Sequence, residues 1–134
     1  MRAVFPAADE SLNTASAFIE EELVKAGCPI KIQMKILVAF EELFVNVAHY
    51  AYGDQTGEVT VDIETAGGDC ILTLIDTGTP FNPLEREDPD ITESAQDRQI
   101  GGLGILMVKK MMDHVEYEYA GGRNIIRIKH GIRI

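Results

Sequence analysis

The spacing of apolar residues divides the chain into alternating elements. Residues 2–6 read as a short strand. Over 9–26, Leu12, Ala15, Ile19, Leu23 and Ala26 recur at a 3.6-residue period and predict an amphipathic helix, with Asp9 or Ser11 available to cap it. Gly27 and Pro29 end that helix, the glycine by accepting positive φ and the proline by breaking the hydrogen-bond ladder. A second helix over 30–51 is apolar on nearly every side (Ile36, Leu37, Val38, Phe40, Leu43, Phe44, Val47), the mark of a buried helix. Gly53 and Asp54 stop it.

The period then changes from helical to alternating. Residues 58–65 place Val59, Val61 and Ile63 on one face, Gly67, Gly68 and Asp69 make a tight turn, and 70–76 runs back. Residues 80–103 hold Pro80, Pro83 and Pro89 among many charges, with little periodicity. A connection that long inside a compact domain is functional or disordered. A helix resumes at 104–113, and strands over 115–119 and 124–130 close as a hairpin around Gly121 and Gly122. Strand–turn–strand pairs exclude a doubly wound parallel sheet. The predicted architecture is an α+β two-layer sandwich, a mixed, mostly antiparallel sheet with helices on one face.

Composition narrows the class. The 134 residues suit one domain spanning 1–134, and 46% apolar with 25% charged residues is ordinary for a globular chain. The net charge of −10 is opposite to what phosphate neutralisation on DNA, RNA or an anionic membrane needs, while it permits a basic protein partner. Cys28 and Cys70 match no metal spacing and read as buried free thiols. Residues 1–6 carry no signal-peptide run and no stretch approaches a membrane span, so the expected location is cytoplasmic.

Three segments carry candidate chemistry. Glu42 and Asn46 are one turn apart on the second helix and share a face. A buried carboxylate and amide need partners, and Mg²⁺ is one that an Asn oxygen can ligate, with Glu able to accept a proton. A solvated edge with Asn46 bonding locally is the plain alternative. Glu41, five residues from Asn46, points to another face. Next, the strand over 70–76 ends in Asp76, followed by Thr77 and Gly78. Such an Asp can accept from an exocyclic amine, and Gly78 permits close backbone approach; a simple Asp-x-Gly turn is the alternative. Last, Gly101, Gly102, Leu103 and Gly104 open a helix, where free backbone amides and the helix dipole favour an anion; a hinge is the alternative. No Gly-Lys-Ser/Thr follows, so this is no Walker A loop, and Met107 breaks the dinucleotide-binding glycine fingerprint.

The order and separation of these segments resemble the GHKL (Bergerat-fold) ATPase/kinase superfamily, whose boxes run Glu-x-x-x-Asn, Asp-x-Gly and Gly-x-Gly before a helix. Glu42/Asn46, Asp76/Gly78 and Gly102/Gly104 occupy those places. The chain is most similar to the anti-sigma factor serine/threonine kinase branch: Asn46 is followed by Ala51 and Tyr52, and the second box reads Asp76-Thr77-Gly78-Thr79-Pro80-Phe81-Asn82-Pro83. The resemblance covers residues 2–130.

It implies roles residue by residue. Asn46 would bind Mg²⁺, and Glu42 would be the general base. Asp76 would hold the adenine amine of ATP with Gly78 beneath the ring. The amides of Gly102, Leu103 and Gly104 would hold phosphates under an ATP lid over about 80–103, from which Arg86 or Arg98 can reach. Tyr50 stands where relatives often carry His, with His49 beside it, and Asn124 stands where many carry Thr; both Tyr50 and Asn124 are counted with the nucleotide site. The implied activity is phosphorylation of a STAS-type anti-anti-sigma partner by a kinase that otherwise sequesters a sigma factor. A non-catalytic ATP-binding module that sequesters a sigma factor or other regulator is the alternative. A homodimer is implied too, with Val4, Phe5 and Phe18 as candidate contacts and two of these three expected in the core.

Overall fold

The fold follows from how each apolar stripe finds cover. A computed structural model describes residues 1–53, 55–85 and 102–133. β1 (Arg2–Pro6) leads through a 3₁₀ turn (Asp9–Ser11) into α1 (Leu12–Lys25) and α2 (Ile30–Tyr50). β2 (Glu58–Ala66) and β3 (Asp69–Asp76) form a hairpin, and α3 (Gly102–Met111), β4 (His114–Ala120) and β5 (Arg123–Gly131) complete the order. The five strands lie in the order β1-β2-β3-β5-β4. Every described pairing is antiparallel, the purer of the arrangements the strand–turn–strand pattern allows. β5 therefore returns between β3 and β4.

Alternation along the strands sends one row of side chains toward the helices. Val59, Val61 and Ile63 from β2, Cys70, Leu72 and Leu74 from β3, and Ile126 and Ile128 from β5 are all buried. Ala15, Ile19 and Leu23 of α1 and Ile36, Ala39, Phe40, Leu43 and Phe44 of α2 complete the core. Both hairpin turns use glycines at positive φ, Gly67 and Gly68 at 62° and 85°, Gly121 and Gly122 at 61° and 77°. That geometry matches the right-handed twist of the flanking strands.

Several expectations are corrected. α2 is not buried all round: Ile30, Met34 and Val38, one turn apart in succession, are 70%, 63% and 37% exposed. In a two-layer fold α2 packs on the sheet, α1 and α3, and among the described residues no element covers its fourth side. Neither Asp9 nor Ser11 caps α1 through its side chain; Ser11 holds the N-cap position without a side-chain bond, and the Asp9 carboxylate instead faces His49 Nε2 at 2.9 Å. α3 begins at Gly102, so Gly102 and Gly104 lie in its first turn rather than precede it, and Gly101 lies outside the described residues. Phe5 is buried, Phe18 packs against the core with its ring centroid 5.9 Å from that of Phe5, and Val4 is 53% exposed, so two of the three candidate contacts are core. Both cysteines are free and buried. Among the described residues no helix is long and apolar enough to cross a membrane.

Candidate nucleotide site

The antiparallel register of β3 and β5 sets Asp76 directly opposite Asn124. Asp76 ends the inward row Leu72, Leu74, Asp76, and Asn124 begins the inward row Asn124, Ile126, Ile128. A polar pair therefore stands where two apolar rows run out, and both residues are only 6% exposed. Such a pair costs stability unless its hydrogen bonds are made, and here they are. Asp76 Oδ1 accepts from Asn124 Nδ2 at 2.9 Å and from the Gly78 amide at 2.9 Å. Asn124 Nδ2 also donates to the Thr79 carbonyl at 3.0 Å, and Asn124 Oδ1 accepts from the Phe81 amide at 3.1 Å and from the Tyr117 hydroxyl.

This pair forms one wall of a recess. Leu43, Asn46, Val47 and Ala51 of α2 and its C-cap face it, with Phe81 and Pro83 from the segment after β3 and Tyr117 from β4. The recess is apolar with a few fixed polar groups, the general character of a small-molecule site. Gly78 is required by close approach. A Cβ there would lie 2.1 Å from the Ala51 carbonyl oxygen, and the adjacent Thr79 amide donates to that same oxygen at 2.6 Å. Tyr52 adds a second tie. Its hydroxyl donates to the Glu58 carbonyl at 2.5 Å and accepts from the Thr77 amide at 3.1 Å, which fixes the end of β3 against the end of α2.

The opposite end of the site is made by α2 and α3. Asn46 is 5% exposed, and its Nδ2 is buried with no hydrogen-bond partner among the described residues. Leaving a buried donor unsatisfied costs about 1–3 kcal/mol, so the position suits a partner that the described residues do not supply. The donor suits an anionic oxygen or water; turned over, the same amide presents its carbonyl oxygen to a cation. One turn earlier, Glu42 reaches the first turn of α3. A Cβ on Gly104 would lie 2.0 Å from Glu42 Oε2. The amides of that first turn have no acceptor within the helix, and the dipole there favours negative charge. Neighbouring Glu41 turns away and accepts from Ser16 Oγ at 3.3 Å.

Glu42, Asn46, Asp76, Gly78, Gly104 and Asn124 are thus gathered along one side of α2. The backbone of Gly102 and Leu103 opens α3 as expected. Tyr50 does not line the recess; its ring stacks on Phe81 at 5.4 Å and 26°, and Phe81 lines it. His49 is turned to Asp9. Arg86, Arg98 and the lid from 86 to 101 lie outside the described residues. In the sequence Phe81 enters only as part of the second box, and Tyr117 goes unnoticed, although it follows from register: Tyr119 pairs with Asn124, which puts Tyr117 two residues along on the same face.

The matches with known proteins define the class of this fold. The profile of the histidine kinase-like ATPase domain family matches residues 5–130, and this chain belongs to that family. It is 25% identical over 130 residues to the serine-protein kinase RsbW of Listeria monocytogenes serovar 1/2a, covering 93% of this chain and 83% of that protein. The RsbW of Bacillus cereus strain ATCC 10987 is 24% identical over 97 residues, 69% of this chain and 61% of that one. These relatives bear out the resemblance to the kinase branch. Among solved structures, the RsbU and RsbW domains of Rv1364c from Mycobacterium tuberculosis superpose with a TM-score of 0.69 at 17% identity, over 98% of this chain and 32% of that longer chain. The Acinetobacter baumannii histidine kinase AdeS gives 0.53 at 12% identity, over 100% of this chain and 68% of that one. At those identities the likeness is one of fold.

Proposed function

We propose that the chain is an Mg²⁺- and ATP-dependent serine/threonine protein kinase of a partner-switching circuit. Its substrate would be a hydroxyl on a STAS-type anti-anti-sigma partner, and its other client a sigma factor. The observation that carries this reading is the placement of the Glu42 carboxylate against the first turn of α3, one helical turn from the unpartnered Asn46 amide. That is where phosphates, a cation and a proton acceptor must converge for phosphoryl transfer. The relatives named as serine-protein kinases support it.

The base of ATP fits the apolar recess, its amine toward Asp76 and its ring over Gly78. Among the described residues, the Gly78 amide and Asn124 Nδ2 both donate to Asp76 Oδ1, which leaves Oδ2 as the acceptor. The amides of Gly102, Leu103 and Gly104 take the phosphates. Asn46 fits Mg²⁺ as a neutral oxygen ligand, since this ion keeps several waters and takes few protein ligands beside substrate phosphates. When bound, it supplies charge neutralisation on the phosphates. Glu42 accepts the proton of the attacking hydroxyl as its oxygen bonds to phosphorus and the bond to the leaving ADP oxygen breaks.

The test is transfer of labelled γ-phosphate to a purified STAS-domain partner, repeated with Glu42→Gln. Loss of a general base lowers the rate by roughly 10²–10⁴-fold. Transfer unchanged in Glu42→Gln removes Glu42 from that role, and nucleotide binding without any transfer moves the chain to the non-catalytic module.

A further inference from the structure

Asn124 has no hydrogen-bonding capacity left for a ligand. A primary amide offers two N–H donors and two acceptor lone pairs. The donors go to Asp76 Oδ1 at 2.9 Å and the Thr79 carbonyl at 3.0 Å, with the Gly78 carbonyl further off at 3.5 Å. The lone pairs take the Phe81 amide and the Tyr117 hydroxyl. The amide cannot turn over, because its oxygen would then face a carboxylate and a carbonyl while its nitrogen faced the Phe81 N–H. Its orientation is therefore set by the chain alone.

The four partners come from three places. Asp76 ends β3, Thr79 and Phe81 belong to the segment that leaves β3 along the recess, and Tyr117 sits on β4. Asn124 on β5 ties them together. We propose that Asn124, held by Tyr117, is a positioning residue for base recognition: it occupies Asp76 Oδ1, fixes the carboxylate plane so that Oδ2 alone meets the base, and pins the Gly78–Phe81 backbone, from which Phe81 lines the recess. This departs from a direct contact between residue 124 and the nucleotide. It rests on the proposed nucleotide reading and assigns how that site is held.

The discriminating variant is Asn124→Asp, which keeps shape but puts a second carboxylate about 2.9 Å from Asp76 Oδ1. Two carboxylates that close share a proton, so one of them titrates well above the usual range. Among the described residues, the other ionisable groups near Asp76 include Tyr117 in the recess, Tyr52, whose hydroxyl accepts from the Thr77 amide, and Arg2, Glu58 and Arg123 in a shallow depression beside it. All of them are unchanged in the variant.

The full chain is titrated calorimetrically with ADP at several pH values, for the parent, Asn124→Asp and Tyr117→Phe. The parent is expected to bind with little change between about pH 5.5 and pH 8. Asn124→Asp is expected to lose affinity by roughly tenfold or more at about pH 8 and to regain most of it at about pH 5.5, where the shared proton restores a donor. Tyr117→Phe, the gentler variant if Asn124→Asp folds poorly, is expected to lose roughly threefold at every pH, as for one neutral hydrogen bond. Parent-like affinity and a flat profile in Asn124→Asp, or parent-like affinity in Tyr117→Phe, overturns the positioning role while leaving the nucleotide site intact. No ADP heat from the parent overturns the nucleotide reading and this inference with it.

Discussion

Glu42 Oε2 fills the space where a side chain at Gly104 would begin, 2.0 Å from the position of its Cβ. Two segments far apart in sequence are locked by a missing methyl group. Gly104 has no positive φ and sits inside α3, so the glycine is needed for room and not for backbone freedom.

Gly104→Ala therefore separates stability from function. Alanine in place of a helical glycine contributes about 0.5–1 kcal/mol, and the obstructing atoms are the flexible end of Glu42. The melting temperature should stay within about 3 °C of the parent, while phosphotransfer falls by roughly 100-fold as the base is displaced. In a Glu42→Ala background the same substitution should raise the melting temperature. A fall there means that something other than Glu42 fills the space.

Gly78→Ala should behave in the opposite way. The added Cβ would meet the Ala51 backbone 2.1 Å away, and the Thr79 amide holds that carbonyl in place. Overpacking against backbone costs about 3 kcal/mol, which lowers the melting temperature by roughly 10 °C. Thermal denaturation within a few degrees of the parent contradicts the close approach.

Asn46→Leu tests the orphaned amide. Removing a buried donor with no partner should stabilise the ligand-free chain by about 1 kcal/mol, read as a higher urea midpoint, and should abolish Mg²⁺-dependent nucleotide binding. A lower midpoint means that the amide is satisfied in the folded chain.

The two thiols predict an alkaline limit. Burial, with Cys28 nearby, raises the Cys70 thiol from 9.0 to about 12, and burial also raises Cys28. The native chain therefore holds these protons where the unfolded chain releases them. Their contribution is fully present below pH 9.0 and is lost as pH rises toward about 12. The urea midpoint should fall over that window, and less steeply in Cys70→Ala. At pH 8 both thiols should react with a disulfide reagent only after denaturation; a rapid reaction in the native chain contradicts their burial.

Much of this was legible in the sequence because period and turn chemistry agreed. Alternation placed Val59, Val61 and Ile63 inward, and Gly67-Gly68 and Gly121-Gly122 marked both hairpins. The helical spacing of Glu42 and Asn46 placed both on the α3 side. What was not legible came from tertiary context. Asp9 was a plausible cap until His49 arrived from a distant helix end. The apolar run of α2 gives no sign of which side stays open, so Val38 reads as core. Tyr117 carries no local signal, since its role comes from strand register with Asn124. The lid at 86–101 lies beyond the described residues, and Arg86 and Arg98 remain sequence expectations.

The most direct test is titration of ADP and GDP, each with Mg²⁺, into the parent and into Asp76→Asn. The account predicts one saturable site for ADP, none for GDP, and a roughly tenfold to hundredfold weaker ADP site in Asp76→Asn, as for a lost charged hydrogen bond. An absence of heat with ADP, or equal affinity in Asp76→Asn, contradicts it.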